Sequence, residues 1–160
     1  MYIKLFEKFK NNINFKINQD EDNTEIKAFY GNKEVGILHA DLIFDIFSEV
    51  SDGDTDTNML QEDDIYNIFT DDIIVKISYM SVDENYMSKS IGTSLFKKAL
   101  EYFYDNGFTQ FYLNASPMGF KGLNLDNLIK FYEKFGFKVF KKYDGDALMY
   151  LTSKSTTNVT

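Results

Sequence analysis

Polar and apolar residues alternate along Asn14–Asn18, Thr24–Tyr30 and Glu34–Ile43, the period of strands with one buried face. Gln19–Asn23 and Gly31–Lys33 separate these runs, and both are short and rich in turn formers, so the first third predicts an antiparallel meander. Ile73–Val82 is the most strand-like run of the chain. After it the period changes. Ile91, Leu95, Ala99 and Phe103 recur every four residues and predict a helix, which Asn106-Gly107 ends as a left-handed cap would. Phe108–Leu113 predicts an aromatic strand, broken by Ser116-Pro117-Met118-Gly119. A second helix is expected over Leu125–Phe135, with Leu128, Tyr132 and Phe135 on one side and Gly136 after it. Phe137–Phe140 and Ala147–Leu151 then form a hairpin around Asp144-Gly145-Asp146. Residues 45–72 lack a clear period. They read as an acidic insertion or loop, with a short helix over Leu60–Phe69 whose apolar side is Leu60, Ile65, Ile68 and Phe69.

A chain of 160 residues with 44% hydrophobic content is enough for one domain with its own core, expected over residues 1–152, followed by a polar tail at 153–160. No run approaches the roughly 18 apolar residues that span a membrane, and the first residues do not read as a secretory signal. A membrane partner is therefore not expected, and a cytoplasmic location is. Cysteine is absent, which excludes disulfides, thiol catalysis and thiolate metal sites. All 17 basic residues are lysine, so a phosphate would have to be held by backbone N–H groups or by point charges, without a bidentate guanidinium. Residues 34–75 carry 12 acids and no lysine, whereas Lys89–Lys154 carries 10 lysines against 6 acids. A net charge of −8 argues against a nucleic-acid partner.

Two stretches carry chemistry. Met87-Ser88-Lys89-Ser90-Ile91-Gly92-Thr93-Ser94-Leu95 links the strand-like run to the helix, and a turn at the positive end of a helix is a site for an anion, most simply a phosphate. Gly92 leaves room for close approach of the backbone, and Ser90 adds a small hydroxyl. Alone, this is also what a plain helix start looks like. The second stretch is Phe131-Tyr132-Glu133-Lys134-Phe135-Gly136-Phe137.

Together these residues resemble the GNAT acyltransferase superfamily. The family's Gln/Arg-x-x-Gly-x-Gly/Ala turn aligns with Met87–Gly92, where Met87 and Ser90 depart from it, and Phe131–Phe137 is similar to its closing motif. The resemblance implies an α/β fold of the GNAT type: a mixed, mostly antiparallel sheet flanked by helices. It implies acetyl-CoA as co-substrate and no metal. Lys89, Ser90, Ile91, Gly92 and Thr93 would take the pyrophosphate, and backbone around Met80 to Val82 would pair with the pantetheine arm as an added strand does. Asn124 reads equally as a contact to that arm and as a helix N-cap, and the same holds for Asn127. Tyr132 would be the general acid that protonates the departing thiolate. The family usually places two helices between its first two strands; none is legible here, and residues 45–70 are the candidate substitute.

The activity implied is N-acetylation of a primary amine, on a small molecule or a peptide, by direct attack in a ternary complex. The acidic 34–75 stretch suits a cationic acceptor, and a homodimer is left open. The base is not legible: His39, Asp72, Glu84 and a water chain all stand as candidates. The departures at Met87 and Ser90 motivate an alternative, a non-catalytic acyl-CoA-binding or partner-binding protein on the same fold. The spacing of acids from Asp52 to Asp63 resembles a calcium loop, but Thr57 stands where that loop needs glycine, so a solvated acidic loop is the expectation. A DNA-mimic role for the acids would need fixed spacing that this segment does not suggest.

Overall fold

A computed structural model describes residues 12–51, 62–117, 124–143 and 145–152. Their elements run β1 (Ile13–Asp20), β2 (Asn23–Tyr30), β3 (Lys33–Ile43), α1 (Ile46–Ser51), α2 (Glu62–Ile68), β4 (Ile74–Val82), a 3₁₀ helix (Glu84–Lys89), α3 (Ile91–Asp105), β5 (Gln110–Ala115), α4 (Leu125–Glu133), β6 (Lys138–Tyr143) and β7 (Asp146–Thr152). The strands form one mixed seven-stranded sheet in the order β1-β2-β3-β4-β5-β7-β6, with helices flanking it. The chain divides into two compact units, Met1–Asp41 with Ile77–Asn106, and Leu42–Lys76 with Gly107–Thr160.

In the first unit, two-residue turns join the meander: Asp20 pairs with Asn23, and Tyr30 pairs with Lys33 across Gly31 at φ +60°. The side-chain alternation read from the sequence holds. Thr24, Ile26 and Ala28 of β2 and Gly36, Leu38 and Ala40 of β3 are all buried. Helix α3 lies over this face with Ile91, Leu95, Phe96, Ala99, Leu100 and Phe103 inward. Gly36 shows how tight the fit is, since a Cβ there would stand 3.2 Å from Ile91 Cγ2 and 3.3 Å from Leu95 Cδ2. The pairing slips one residue beside it: Ala28 opposes Gly36 but Phe29 opposes Glu34, which leaves Val35 as the extra residue. The Val35 carbonyl instead accepts the Asp83 N–H at 2.9 Å.

The second unit differs most from expectation. Where the sequence suggests an acidic loop with one helix, two short helices stand on either side of residues 52–61, which lie outside the described residues, as does Leu60. Asp45 starts α1 by accepting the Ser48 N–H at 3.2 Å and the Ser48 hydroxyl at 2.7 Å. Ile46, Val50, Ile65 and Phe69 then form a core with Ile74, Tyr112 and Leu148. A single amide fastens the end of α2 to the sheet. The buried Gln110 accepts the N–H groups of Thr70 and Asp71, both at 3.0 Å, and donates to the Thr70 hydroxyl at 2.8 Å. Every polar atom of that side chain is thereby matched, as burial requires. The two helices follow β3, and β1 and β2 are joined directly, so the usual family placement of two helices between the first two strands does not apply here. The second long helix ends at Glu133, two residues early, and Phe135 beyond it is half-buried. The polar tail, the calcium-like stretch over residues 52–61, Met118-Gly119 and Asp144 are also outside the described residues.

Candidate active site

The anion turn is built by three consecutive conformations. Asp83 follows β4 and opens the 3₁₀ helix, accepting the Asn85 N–H at 2.9 Å. That bond holds the Asp83 carboxyl below its usual range, assisted by Lys33 Nζ at 3.3 Å and opposed by partial burial. The 3₁₀ helix runs to Lys89. Ser90 then reverses the backbone at φ 59°, ψ 23°, and α3 begins at Ile91. Left-handed backbone in a residue other than glycine costs about 1 kcal/mol. The serine thus adopts the conformation that a glycine at this signature position would supply. Its side chain makes no capping hydrogen bond, and its carbonyl accepts the Ser94 N–H at 3.0 Å. The N–H groups of Ile91, Gly92 and Thr93 precede the first intrahelical bond and need a partner from outside the helix. The Ile91 side chain is buried in the core, so that residue offers backbone only, while Gly92 is half-buried and Thr93 exposed.

Met80 and Val82 are buried at the end of β4. From Val75 onward burial along β4 alternates except at Ser78 and Tyr79, which are both exposed between buried Ile77 and Met80. That one-residue slip turns Tyr79 outward, with 55% of its surface exposed. Met87, which departs from the family pattern, is also exposed.

In the second unit, Tyr132 stands on α4 with 7% exposure. Its ring lies 5.2 Å from that of Phe131 and 6.2 Å from that of Phe137. Its carbonyl takes the Phe135 N–H at 3.0 Å, and Gly136 turns the chain at φ +94° into β6. Burial pushes the Tyr132 hydroxyl up to about 12, so it keeps its proton throughout the neutral range. Asn124 caps α4: its Oδ1 accepts the Asn127 N–H at 2.9 Å, which places both residues in the cap that the sequence left open.

The candidate bases are dispersed. Asp72 is exposed on the wall of an open cleft with Phe44, Tyr66 and Asp71, and Glu84 lies in the first turn of the 3₁₀ helix. His39 lies on β3, directly opposite Glu25 of β2. Several acids of the 34–75 stretch are engaged inside the fold: Asp45 caps α1, Asp71 accepts the Thr109 hydroxyl at 3.0 Å, and Asp41 accepts that of Ser78. Glu49 pairs with Lys76 and accepts the Tyr112 hydroxyl at 2.9 Å. The Lys76 ammonium holds the Glu49 carboxyl below its ordinary value against the opposing effect of burial, and Tyr112 adds to the lowering. Sequence reasoning missed Gly36, Gln110 and the partners of Glu49. Only Gly36 left a signal, as an isolated glycine inside a strand pattern. No group of three or more His, Cys, Asp or Glu placed to hold a metal occurs among the described residues, and no helix there is long and apolar enough to cross a membrane.

Comparison with known proteins defines the class. The acetyltransferase (GNAT) family model matches residues 26–137, from β2 to the residue after Gly136, and the chain belongs to that family. Among solved structures it is similar to the PaiA N-acetyltransferase of Thermoplasma acidophilum in complex with coenzyme A, at 17% identity and TM-score 0.52, over 82% of this chain and 61% of that one. It is also similar to a GNAT family acetyltransferase of Elizabethkingia anophelis with acetyl-CoA bound, at 10% identity and TM-score 0.58, over 89% and 99% of the two chains. A third is Arabidopsis thaliana Naa50 in complex with the bisubstrate analogue CoA-Ac-MVNAL, at 18% identity and TM-score 0.52, over 80% and 72%. At these identities the likeness is one of fold. No curated protein matches the chain.

Proposed function

We propose that the protein is an acetyl-CoA-dependent N-acetyltransferase acting on a primary amine. The observation that carries this reading is the start of α3, where Ser90 takes the left-handed backbone conformation without a side-chain capping bond and the N–H groups of Ile91–Thr93 precede the first intrahelical bond. In this reading those groups, with Lys89 beside them, bind the pyrophosphate of acetyl-CoA, and the Met80–Val82 backbone carries the pantetheine arm. The amine nitrogen attacks the thioester carbonyl carbon directly, and the carbon–sulfur bond then breaks. Tyr132 donates its proton to the departing sulfur. A hydroxyl held near 12 hands over its proton only as negative charge develops on that sulfur, which is the behaviour of a general acid acting in the transition state.

Relatives support the acceptor class. The Naa50 complex contains a peptide-bearing analogue, and another similar fold is the ribosomal-protein-S18-alanine N-acetyltransferase of Escherichia coli. The acceptor proposed here is thus an amine on a small molecule or peptide. The test combines thermal unfolding with and without acetyl-CoA and an assay of CoA release across spermidine, a lysine-containing peptide and a peptide with a free α-amino group. Stabilisation by acetyl-CoA with CoA release is the expected result. Stabilisation without release from any amine would favour the non-catalytic acyl-CoA-binding reading, for which the departures at Met87 and Ser90 are the motive. Neither response would end both.

A further inference from the structure

The two faces of the first unit's sheet differ in kind. Gly36, Leu38 and Ala40 point toward α3 and are buried, so the intervening Ile37, His39 and Asp41 point to the opposite face. On that face a row of polar groups crosses three strands. His39 Nε2 stands 3.8 Å from Glu25 Oε2, and the other Glu25 oxygen pairs with Lys27 Nζ at 3.1 Å. Lys27 also reaches Glu34 at 3.6 Å. From β4, the Tyr79 ring lies 6.0 Å from the imidazole. Asp41, two residues along β3, is held by the Ser78 hydroxyl. These are the charged and titratable groups that face His39 from β2, β3 and β4. The imidazole side chain retains 41% exposure, so solvent and a substrate can both reach it.

We infer that His39, oriented by Glu25, is the catalytic base that takes the proton from the acceptor amine, and that the His39–Tyr79 face receives that amine. This rests on the N-acetyltransferase reading. Two features carry it. The Glu25 carboxylate stands 3.8 Å from Nε2, directly opposite in the strand register, so a fixed anion lies beside a ring that keeps 41% exposure. Tyr79 beside it immediately precedes Met80–Val82, the stretch that carries the pantetheine arm in the proposed reading. An alkyl ammonium, with a pKa of about 10.4, must lose a proton before its nitrogen can attack. The His39 imidazole accepts that proton, the nitrogen–carbon bond forms and the carbon–sulfur bond breaks. The departing sulfur is protonated, the second proton leaves the nitrogen of the new amide, and His39 releases the first to water, so that one of the two protons lost by the ammonium balances the thiol and the other is set free. Atoms and charge balance as ammonium plus thioester giving amide, thiol and one proton.

The single histidine makes the test direct. Diethyl pyrocarbonate modifies imidazole with a distinct ultraviolet signature, and His39→Gln supplies the blank. Saturating acetyl-CoA is expected to slow modification of His39 at least about tenfold. With whichever of spermidine, a lysine-containing peptide or a free-α-amino peptide the wild type turns over, His39→Gln should lower kcat/KM by about 10² or more. Its thermal stabilisation by acetyl-CoA should be unchanged, and imidazole added to the buffer should restore part of the rate. Glu25→Gln should reduce kcat less and alter the neutral limb of the pH–rate profile. Full turnover by His39→Gln, or modification unaffected by bound acetyl-CoA, would overturn the base assignment alone. A wild type that binds acetyl-CoA but acetylates none of the three amines would overturn the transferase reading and the base with it.

Discussion

The Met87–Leu95 turn and the Phe131–Phe137 motif place their chemistry in different parts of the chain. The turn offers backbone N–H groups, and it reaches the required shape with residues that depart from its family pattern. Ser90 at φ 59° does what a glycine would do, and Met87 merely stands exposed. The second motif offers a side chain, Tyr132, and there the sequence keeps the family pattern and the packing keeps the ring buried between neighbouring aromatics. A function carried by main-chain groups survives side-chain change as long as the dihedral angles survive. A function carried by one hydroxyl does not.

The comparison breaks most visibly at Tyr132. Tyr132→Phe should cut kcat by about 10²–10⁴ while acetyl-CoA still raises the melting temperature; unchanged turnover would remove the side-chain half of the contrast. The same variant has a second signature. Burial raises the native hydroxyl from 10.0 to about 12, so between those values the unfolded chain loses a proton that the native protein keeps. Wild-type stability should therefore fall from about pH 10 to pH 12, by roughly 2–3 kcal/mol, and Tyr132→Phe should lack that contribution in alkaline unfolding curves. Gly92→Glu tests the main-chain half, because a carboxylate among the donors proposed to hold the phosphate should weaken acetyl-CoA binding at least about 100-fold by calorimetry. Survival of affinity would put the phosphate elsewhere.

Smaller effects sharpen the contrast. Gly36→Val forces a side chain against Ile91 and Leu95 where they pack on β3, and should cost about 1–3 kcal/mol with weaker acetyl-CoA binding. Glu49→Gln leaves Lys76 without its anion and should cost about 1–2 kcal/mol at neutral pH, with acetyl-CoA binding intact. The native Glu49 value is depressed, so its contribution is present above the unfolded carboxyl range and is lost on acidification, a slope the variant should flatten. Ser90→Gly should change stability least. Relief of the left-handed serine and the added freedom of the unfolded chain oppose each other, leaving a net change within about 1 kcal/mol.

Strands with one buried face and helix α3 were legible because their periods are long enough to count. The helix at Ile46–Ser51 was not: at six residues it does not complete two turns, and its position next to the acids masks the apolar side, whereas the short helix expected over Leu60–Phe69 stands at Glu62–Ile68. Asp45, one of the acids thought to steer a substrate, is a cap, which the sequence could not separate from a surface charge. The Gln110 clamp joins residues 39 and 40 positions apart, beyond the reach of any local pattern. Tyr132 was singled out through its motif, whereas the Glu25–His39 pairing depended on strand register, which the alternation alone does not fix.

Both compact units are discontinuous in sequence, and this has a consequence for how the molecule can be made or divided. The segment that completes the first unit, Ile77–Asn106, is synthesised only after Leu42–Lys76, which belongs to the second. On the ribosome the opening meander must therefore wait through an interposed piece of foreign architecture before its covering helix emerges. For the same reason no single cut yields either half intact, and a split reporter made from this protein would have to be assembled from fragments that each hold an incomplete core.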